Sequence, residues 1–291
     1  MSTRSGGRLT ALAVGVVVGA GVAFAYVGGG ELRAAGVPEP GRAATTAQDR
    51  AAQPSPQPPP SPQPPPAPPP VLPFNAKLTT DDVPTPDGGV RSGACSGALI
   101  APEWVATAGH CFHDLADRRI DGPPPYTVTV TVGKLKDTDP GGHVAQVVDV
   151  RQSPVNDLAV VRLSAPVTGV EPLTVADAPP VVGEPLQFAG WGSLSATVFG
   201  PSDHLKRGRF TVAGVGPVTL EAASVGERTV ENTPCPEDSG APFFVSEDDR
   251  TGRLVAVVNT GPPCPQPGME IVARVDVVAA WIHEQTGGTS R

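Results

Sequence analysis

The sequence lacks the cysteine spacing that usually marks a metal site. It has four cysteines in 291 residues, and no two of them form a Cys-x-x-Cys pair. Structural zinc sites commonly use such pairs, so we expect no metal and no cofactor. Four cysteines can form two disulfides in three different pairings, and export to an oxidising compartment would favour disulfides.

Aromatic residues are also few, at 4% of the chain, while valine and alanine are abundant. Strands would therefore be built mainly from β-branched side chains. Residues 126–132 alternate threonine with valine, and residues 144–150 and 158–163 are further short apolar segments. No parallel-sheet pattern competes, so the expected fold class is all-β, a barrel or a sandwich. Residues 277–285 have helical spacing and predict one helix near the end of the domain.

Positive charge is scarce beyond the first quarter of the chain. Residues 1–70 hold five basic and three acidic residues, whereas residues 71–291 hold 16 basic and 26 acidic residues and have a net charge of −10. An acidic domain argues against nucleic acid and anionic lipid as partners. Simple solubility and steering of basic substrates explain this charge equally well.

An uncharged apolar stretch occupies residues 9–27, after Arg4 and Arg8. At 19 residues it is long enough to cross a bilayer, and the preceding arginines place its start on the cytoplasmic side. An Ala-x-Ala site ending at Ala25 is instead typical of a signal peptide that is cleaved. Residues 1–30 are therefore interpreted as a signal anchor or a signal peptide, and both would export the rest of the chain.

Residues 31–70 are interpreted as a disordered linker before a folded domain at residues 71–291. Residues 54–70 contain 12 prolines, and proline removes N–H donors and fixes φ, so this tract should be extended polyproline II. At about 3.1 Å per residue it would span on the order of 50 Å. It would be a semi-rigid spacer or a linker without a defined role.

Three short motifs carry the chemistry. Residues 235–242 read Cys-Pro-Glu-Asp-Ser-Gly-Ala-Pro and place Ser239 just before an apolar strand. Residues 107–111 read Thr-Ala-Gly-His-Cys and supply His110, and Asp157 precedes a further apolar run. A serine hydroxyl becomes a good nucleophile when a base takes its proton, and His110 with Asp157 can provide that base.

These motifs, in the order His, Asp, Ser, resemble the chymotrypsin/trypsin family of serine proteases, and the chain looks like a bacterial member of it. The resemblance extends from about Pro73 to Trp281. It implies two six-stranded antiparallel β-barrels and a C-terminal helix, with the active site in the cleft between the barrels. The disulfide pairs that it implies are Cys95 with Cys111 and Cys235 with Cys264.

The resemblance places His110 and Asp157 on the first barrel and Ser239 on the second. His110 would take the proton of Ser239 as that oxygen attacks a peptide carbonyl, and Asp157 would hold the imidazole tautomer. The backbone N–H groups of Glu237 and Ser239 would bind the oxyanion. The family has glycine where this chain has Glu237, so a side chain must here tolerate a backbone orientation that suits glycine.

The substrate pocket is interpreted in the same way. Thr233, six residues before Ser239, is at the position of the pocket floor, and Gly261 and Gly268 match the glycines of the pocket walls. No acidic residue is at the floor position, so a Lys or Arg side chain would find no counter-ion there. The resemblance therefore predicts an apolar or neutral residue before the cleaved bond. Thr260 stands where the family has a tryptophan, so contacts along the groove must differ.

The sequence lacks Ile-Val-Gly-Gly, the terminus that usually activates the family after cleavage. In the family, the new ammonium group pairs with the aspartate before the serine, which is Asp238 here. Alignment of residues 73–78 with the family's first strand places the expected terminus near Ser61, inside the proline tract. We therefore expect Asp238 to have another partner, such as an arginine or a cluster of N–H donors, and expect no such zymogen switch.

The sequence thus predicts an exported, monomeric serine endopeptidase that cleaves polypeptides through an acyl-enzyme. Membrane contact would be limited to the N-terminal segment, either as an anchor at residues 9–27 or until cleavage near Ala25. The alternative is a catalytically impaired relative that binds protein through the same cleft, which Glu237 and the missing activation terminus favour. A third interpretation is a wall or surface protein in which the stalk matters most.

Overall fold

The structure is a computed structural model that describes residues 71–116 and 118–287. The segments interpreted above as a signal sequence and a linker therefore lie outside the described residues. Within the described ranges, no helix is long and apolar enough to cross a bilayer.

The first half of the domain contains six strands: β1 (Asn75–Pro84), β2 (Val90–Ala101), β3 (Trp104–Thr107), β4 (Thr129–Val132), β5 (His143–Gln152) and β6 (Ala159–Leu163). They form a closed antiparallel barrel in the order β1-β2-β3-β6-β5-β4. In β4, fully buried valines alternate with partly exposed threonines, which is the pattern of a strand with one face in a core.

The second half contains seven strands: β7 (Thr174–Val175), β8 (Pro185–Gly190), β9 (Lys206–Val215), β10 (Thr219–Ser224), β11 (Pro242–Val245), β12 (Arg253–Thr260) and β13 (Met269–Arg274). Six of them close into a second barrel in the order β11-β8-β9-β10-β13-β12, because β11 pairs with both β8 and β12. The two-residue strand β7 comes from the segment that connects the two barrels and pairs with β12 in parallel, which the sequence did not predict.

The domain ends in a short helix, α1 (Ala279–Thr286), after a 3₁₀ turn at Asp276–Val278. Ile282 is fully buried and Trp281 packs against the same core, as the helical spacing predicted. Gly287 ends the helix with φ 71°, a left-handed conformation that glycine adopts without steric cost. The all-β architecture of two six-stranded barrels and a C-terminal helix is therefore confirmed.

The first hairpin extends further than its composition suggests. Residues 81–89 combine three aspartates with proline and glycine, a composition typical of a loop, yet β1 continues to Pro84, with a register shift between Thr80 and Val83. The carboxylate of Asp82 accepts the N–H of Thr127 at 3.0 Å, so side-chain hydrogen bonds support this acidic stretch at the edge of the sheet.

Candidate active site

His110 lies just beyond β3, on a 3₁₀ turn at Gly109–Cys111. A disulfide joins Cys111 to Cys95 in β2, with an S–S distance of 2.01 Å. The hydroxyl of Thr107 at the end of β3 donates to the carbonyl of Ser96 at 2.8 Å. The strand, the turn and the disulfide together fix the position of the His110 imidazole at the edge of the first barrel.

Asp157 lies on the turn between β5 and β6. The hydroxyl of Ser153 donates to Asn156 Oδ1 at 2.8 Å and closes the turn. The guanidinium of Arg119 bridges the same turn, donating to the carbonyl of Ser153 at 3.2 Å and to that of Asn156 at 3.3 Å. These contacts hold the turn in the conformation that places the Asp157 carboxylate next to His110.

Ser239 lies on the tight loop between β10 and β11, and the loop docks on the first barrel. The N–H of Ser96 donates to the carbonyl of Ser239 at 2.8 Å. Gly240 has φ 82°, and a Cβ there would lie 2.1 Å from Thr107 Oγ1. Glycine is therefore required for the serine loop to approach the strands that carry His110. The second disulfide, Cys235 with Cys264, ties the start of the loop to the segment after β12.

The three side chains form one hydrogen-bonded chain across the cleft. Asp157 Oδ2 is 2.6 Å from His110 Nδ1, and His110 Nε2 is 2.7 Å from Ser239 Oγ. Asp157 Oδ1 also accepts the backbone N–H of His110 at 2.7 Å. Because a carboxylate only accepts, the proton of the neutral imidazole lies on Nδ1, which leaves Nε2 free to accept the serine hydroxyl.

The charge state of Asp157 suits this arrangement. Partial burial acts to raise the pKa of Asp157, but the hydrogen bonds that His110 donates, together with the nearby positive charge of Arg119, outweigh burial and hold the pKa below its usual range. The carboxylate is therefore ionised at neutral pH and can stabilise the imidazolium that forms during proton transfer.

Two backbone N–H groups next to the Ser239 hydroxyl, those of Glu237 and Ser239, are the candidates for an oxyanion site. Neither Glu237 N–H nor Ser239 N–H donates to an acceptor within the described residues. Glu237 has φ 73°, in the left-handed region, as expected for a position that the family gives to glycine. The carboxyl oxygen Oε2 of Glu237 is buried and has no partner among the residues described, and burial raises the pKa of this carboxyl.

Two cavities border Ser239. A groove of about 990 Å³ extends over the first barrel from His110 and Ser239, past Phe112 and Tyr126. A smaller cavity of about 260 Å³ lies in the second barrel and is bordered by Ser239 and Gly261. Each of these spaces could hold part of a polypeptide next to the Ser239 hydroxyl.

The smaller cavity differs in part from the pocket inferred from the sequence. Gly261 lines it, as do Asn259 and Thr260, but Thr233 is fully buried and donates its hydroxyl to Thr229 O at 2.7 Å. Thr233 and Gly268 are not among the residues that border the cavity. Asn259 makes no hydrogen bond to Asp157 in the described structure, in which His110 donates to that carboxylate.

An acid that the sequence analysis missed lines the cavity instead. Glu270 in β13 is 1% exposed, and a Cβ on Gly261 would lie 1.9 Å from its Oε2. Its other oxygen accepts the guanidinium of Arg228 at 2.5 Å, and the Arg228 side chain is only 6% exposed. Burial raises the pKa of Glu270, and Arg228 opposes that rise. The two charges therefore neutralise each other at the back of the cavity.

The partner of Asp238 is a lysine rather than an arginine. The Lys206 ammonium forms an ion pair with the Asp238 carboxylate, which also accepts the N–H groups of Gly192 and Cys235. Strand alternation was the available signal for both missed residues: Lys206 shares the inward face of β9 with Phe210, and Glu270 shares that of β13 with Val272. A charged residue in an inward position requires a buried partner.

The residues near His110 that could suggest a metal site have other partners. His113 Nδ1 is 3.0 Å from the carbonyl of His110, and Asp114 pairs with Arg118 at 2.7 Å. No group of three or more His, Cys, Asp or Glu side chains with metal-site geometry occurs in residues 71–116 and 118–287.

Comparison with known proteins agrees with this architecture. A family model described as Trypsin matches residues 67–282. Serine protease 56 of Mus musculus is 30% identical over 221 residues, which cover 66% of this chain and 34% of that protein. Kallikrein 1-related peptidase b3 of Mus musculus is 26% identical over 212 residues, covering 65% of this chain and 79% of that protein.

A solved structure supports the fold. Neuropsin, a serine protease expressed in the limbic system of mouse brain, aligns with a TM-score of 0.56 at 19% identity and covers 74% of this chain and 94% of its own. The match to Serine protease 56 spans about a third of that relative's length. These relatives are mouse proteins, so bacterial origin stays a prediction. Because the family model covers well over half of the sequence, the chain belongs to the trypsin family of serine proteases.

Proposed function

We propose that this protein is an exported serine endopeptidase that acts on polypeptides. The observation that carries the proposal is the hydrogen-bonded chain from Asp157 through His110 to Ser239, with distances of 2.6 and 2.7 Å. Each group has the partner that the chemistry of acyl transfer requires, and the N–H groups of Glu237 and Ser239, which have no acceptor among the described residues, lie beside the proposed nucleophile.

The reaction follows from these contacts. Ser239 Oγ attacks the carbonyl carbon of the substrate while its proton moves to His110 Nε2, and the carbonyl oxygen becomes an oxyanion near the N–H groups of Glu237 and Ser239. The C–N bond then breaks, and His110 gives the proton to the leaving amine. Water attacks the acyl ester with His110 again as the base, which releases the acid and restores Ser239.

Internal cleavage of a chain is favoured over trimming of its ends. The groove of about 990 Å³ and the cavity of about 260 Å³ both border Ser239. Residues on both sides of the cleaved bond therefore have space. The two disulfides indicate an oxidising compartment outside the cytosol, which agrees with export by residues 1–30, as an anchor or after cleavage near Ala25.

Reaction with a fluorophosphonate tests the proposal on the full chain. We expect the wild-type protein to be labelled at Ser239 and to cleave casein, and we expect Ser239→Ala to do neither. Ser164→Ala is the matched control, since this exposed serine lies on the first barrel away from the cleft. A correctly folded wild-type chain that does not react would favour the alternative, a catalytically impaired relative that binds protein through the same cleft.

A neutral or apolar residue is the proposed preference before the cleaved bond. The cavity beside Ser239 does contain a carboxylate, Glu270, but Arg228 is already paired with it at 2.5 Å and both side chains are buried. A substrate ammonium or guanidinium would thus meet a neutral pair. The free-energy cost of removing water from that cation would not be offset, whereas an unpaired carboxylate would offset it by charge attraction.

Peptide-library profiling of wild type and two variants tests this preference. We expect Arg228→Met to expose the Glu270 charge and to raise kcat/KM for Lys or Arg by roughly tenfold, about 1.4 kcal/mol. Adding Glu270→Gln to Arg228→Met should remove that gain. A strong Lys or Arg preference in the wild type would contradict the proposed pocket chemistry.

A further inference from the structure

Asp238 is fully enclosed beside the nucleophile. Its carboxylate accepts the N–H of Gly192 at 2.7 Å and that of Cys235 at 2.9 Å. It also pairs with the ammonium of Lys206, and neither side chain has exposed surface. Burial acts to raise the pKa of Asp238, and the Lys206 charge and the N–H donors oppose this. A buried charge without a partner is strongly unfavourable, so the two groups depend on each other.

The position of Lys206 in the fold directs its side chain to Asp238. It is the first residue of β9, and its side chain points inward, toward the core of the second barrel. Its Nζ also donates to the carbonyl of Ser193 at 3.3 Å and lies 6.0 Å from the ring centroid of Phe188. The ammonium therefore has two oxygen acceptors, on Ser193 and Asp238, and its side chain has no surface exposed to water.

Two glycines allow the backbone to approach the Asp238 carboxylate closely. A Cβ at Gly190 would lie 2.1 Å from Asp238 Oδ1, and a Cβ at Gly192 would lie 2.3 Å from the same carboxylate. No other residue type fits at either position without moving the aspartate. The end of β8 and the segment after it thus form a closed compartment for Asp238 and Lys206.

Asp238 lies between the two residues whose N–H groups would bind the oxyanion. Glu237, on one side, has φ 73°, which is unfavourable for a residue with a side chain. Such a conformation persists only where the surrounding contacts impose it. Because the Asp238 side chain is fixed by Lys206 and two N–H donors, it restrains the backbone of Glu237 and Ser239 on either side.

We infer that Lys206 is a positioning residue that holds Asp238, and through it the oxyanion N–H groups, without any contribution from a freed chain terminus. The inference rests on the proposed peptidase function and adds how that function is controlled. The contact lies wholly within residues 192–238. The domain should therefore be active while the proline-rich residues 54–70 still precede it.

Kinetics of Lys206 variants in the full chain test the positioning role. We expect Lys206→Met to lower kcat by roughly 10²–10³, the usual effect of losing one oxyanion donor, with KM changed less than about threefold. Lys206→Arg keeps the positive charge and should retain more kcat than Lys206→Met. A role in packing alone predicts the opposite order, because arginine is the larger side chain.

The matched control is Arg253→Met. Arg253 is another cation of the second barrel that forms an ion pair, with Glu184 at 2.6 Å, but it lies at the start of β12 and does not contact Asp238. We expect Arg253→Met to retain kcat within about threefold of the wild type. Wild-type kcat in a folded Lys206→Met chain would overturn the inference and leave the peptidase proposal intact.

A second measurement needs no variant. The purified full chain is treated with a fluorophosphonate, and the intact mass of each labelled species is determined. We expect label on chains that retain residues 54–70. Label found only on chains shortened to a new terminus near Ser61 would overturn the inference but support the peptidase, whereas no label on any species would refute the peptidase proposal and the inference with it.

Discussion

At the scale of single residues, Glu237 is the least favourable group in the candidate site. It combines a left-handed backbone, φ 73°, with a buried carboxyl oxygen that has no partner in the described chain. Burial is the main cause of its raised pKa, the Gly200 N–H lowers it, and the Asp238 charge raises it further. The backbone N–H of Glu237 is a proposed donor to the oxyanion, whereas a negative charge on its side chain would repel the oxyanion.

Replacing Glu237 should separate the charge from the backbone strain. We expect Glu237→Gln to raise kcat by roughly tenfold, about 1.4 kcal/mol, because a negative charge beside the oxyanion is removed. Glu237→Gly removes the same charge and should raise kcat by a similar factor, while its free energy of unfolding gains about 1–2 kcal/mol of relieved strain, partly offset by about 0.5–1 kcal/mol of unfolded-chain entropy. Steady-state kinetics on a neutral peptide would measure both, and a loss of kcat in Glu237→Gln would contradict the argument.

The raised pKa of Glu237 also sets the sign of a pH effect on stability. Between the ordinary value of 4.5 and the higher folded-state value, the folded chain binds more protons than the unfolded chain, so the Glu237 contribution falls as pH rises. Glu237→Gln should therefore raise the Tm at pH 8 and show a shrinking gain as pH approaches 4.5. Asp248→Asn, which changes an exposed carboxyl with a lowered pKa, should show no such gain.

Sequence reasoning identified the residues that short motifs mark and missed those that only the packing reveals. His110, Asp157 and Ser239 each lie in a local pattern, and the structure places all three within hydrogen-bonding distance along one chain. Lys206 and Glu270 lie in no motif, and their partners are 32 and 42 residues away along the sequence. A contact across that separation depends on how strands are ordered in the barrel, which local patterns do not determine.

At the scale of secondary-structure elements, the turn between β5 and β6 connects Asp157 to both barrels. Asn156, next to Asp157, donates its amide to the carbonyl of Arg274 at 2.8 Å and to that of Val218 at 3.1 Å. Both acceptors belong to the second barrel, whereas Asn156 belongs to the first. The position of Asp157 is therefore set by contacts across the cleft as well as by its own strands.

Removing this cross-link should affect stability and activity together. We expect Asn156→Ala to lower the free energy of unfolding by about 1–3 kcal/mol, because two carbonyls lose their side-chain donor. We also expect a lower kcat, because the Asp157 turn loses its tie to β13. Asn232→Ala is the control: its amide donates to Glu227 O at 2.9 Å within one loop of the second barrel. Urea unfolding and kinetics of both variants would decide, and equal kcat losses would refute the cross-barrel role.

The strands themselves show where local patterns are informative. The alternation of threonine and valine at residues 126–132 predicted β4, and the apolar segment at residues 144–150 predicted the central part of β5. The ends of strands were less predictable: β1 extends to Pro84 through two aspartates that read as a loop. The N–H of Thr127, 45 residues away in the sequence, donates to Asp82 and stabilises the extended conformation there.

At the scale of the whole molecule, the two barrels share a core. One continuous apolar cluster contains Leu99 and Val160 of the first barrel with Phe244 and Val257 of the second. Trp191, which is 1% exposed, donates its indole N–H to Asn75 Oδ1 at 2.9 Å across the same boundary. A second cluster, centred on three phenylalanines with ring centroids 4.9–6.2 Å apart, fills the second barrel alone.

This shared core predicts that the barrels unfold together although each is a closed sheet. Chains of this size often unfold in more than one step, but separating the barrels would expose the common cluster and break the Trp191 to Asn75 hydrogen bond. Tryptophan fluorescence and fluorophosphonate reactivity should therefore be lost at the same urea concentration, with the disulfides intact. Reactivity that disappears well before the fluorescence change would mean that the cleft opens while the barrels remain folded, and the cluster would then not be the contact that holds His110 against Ser239.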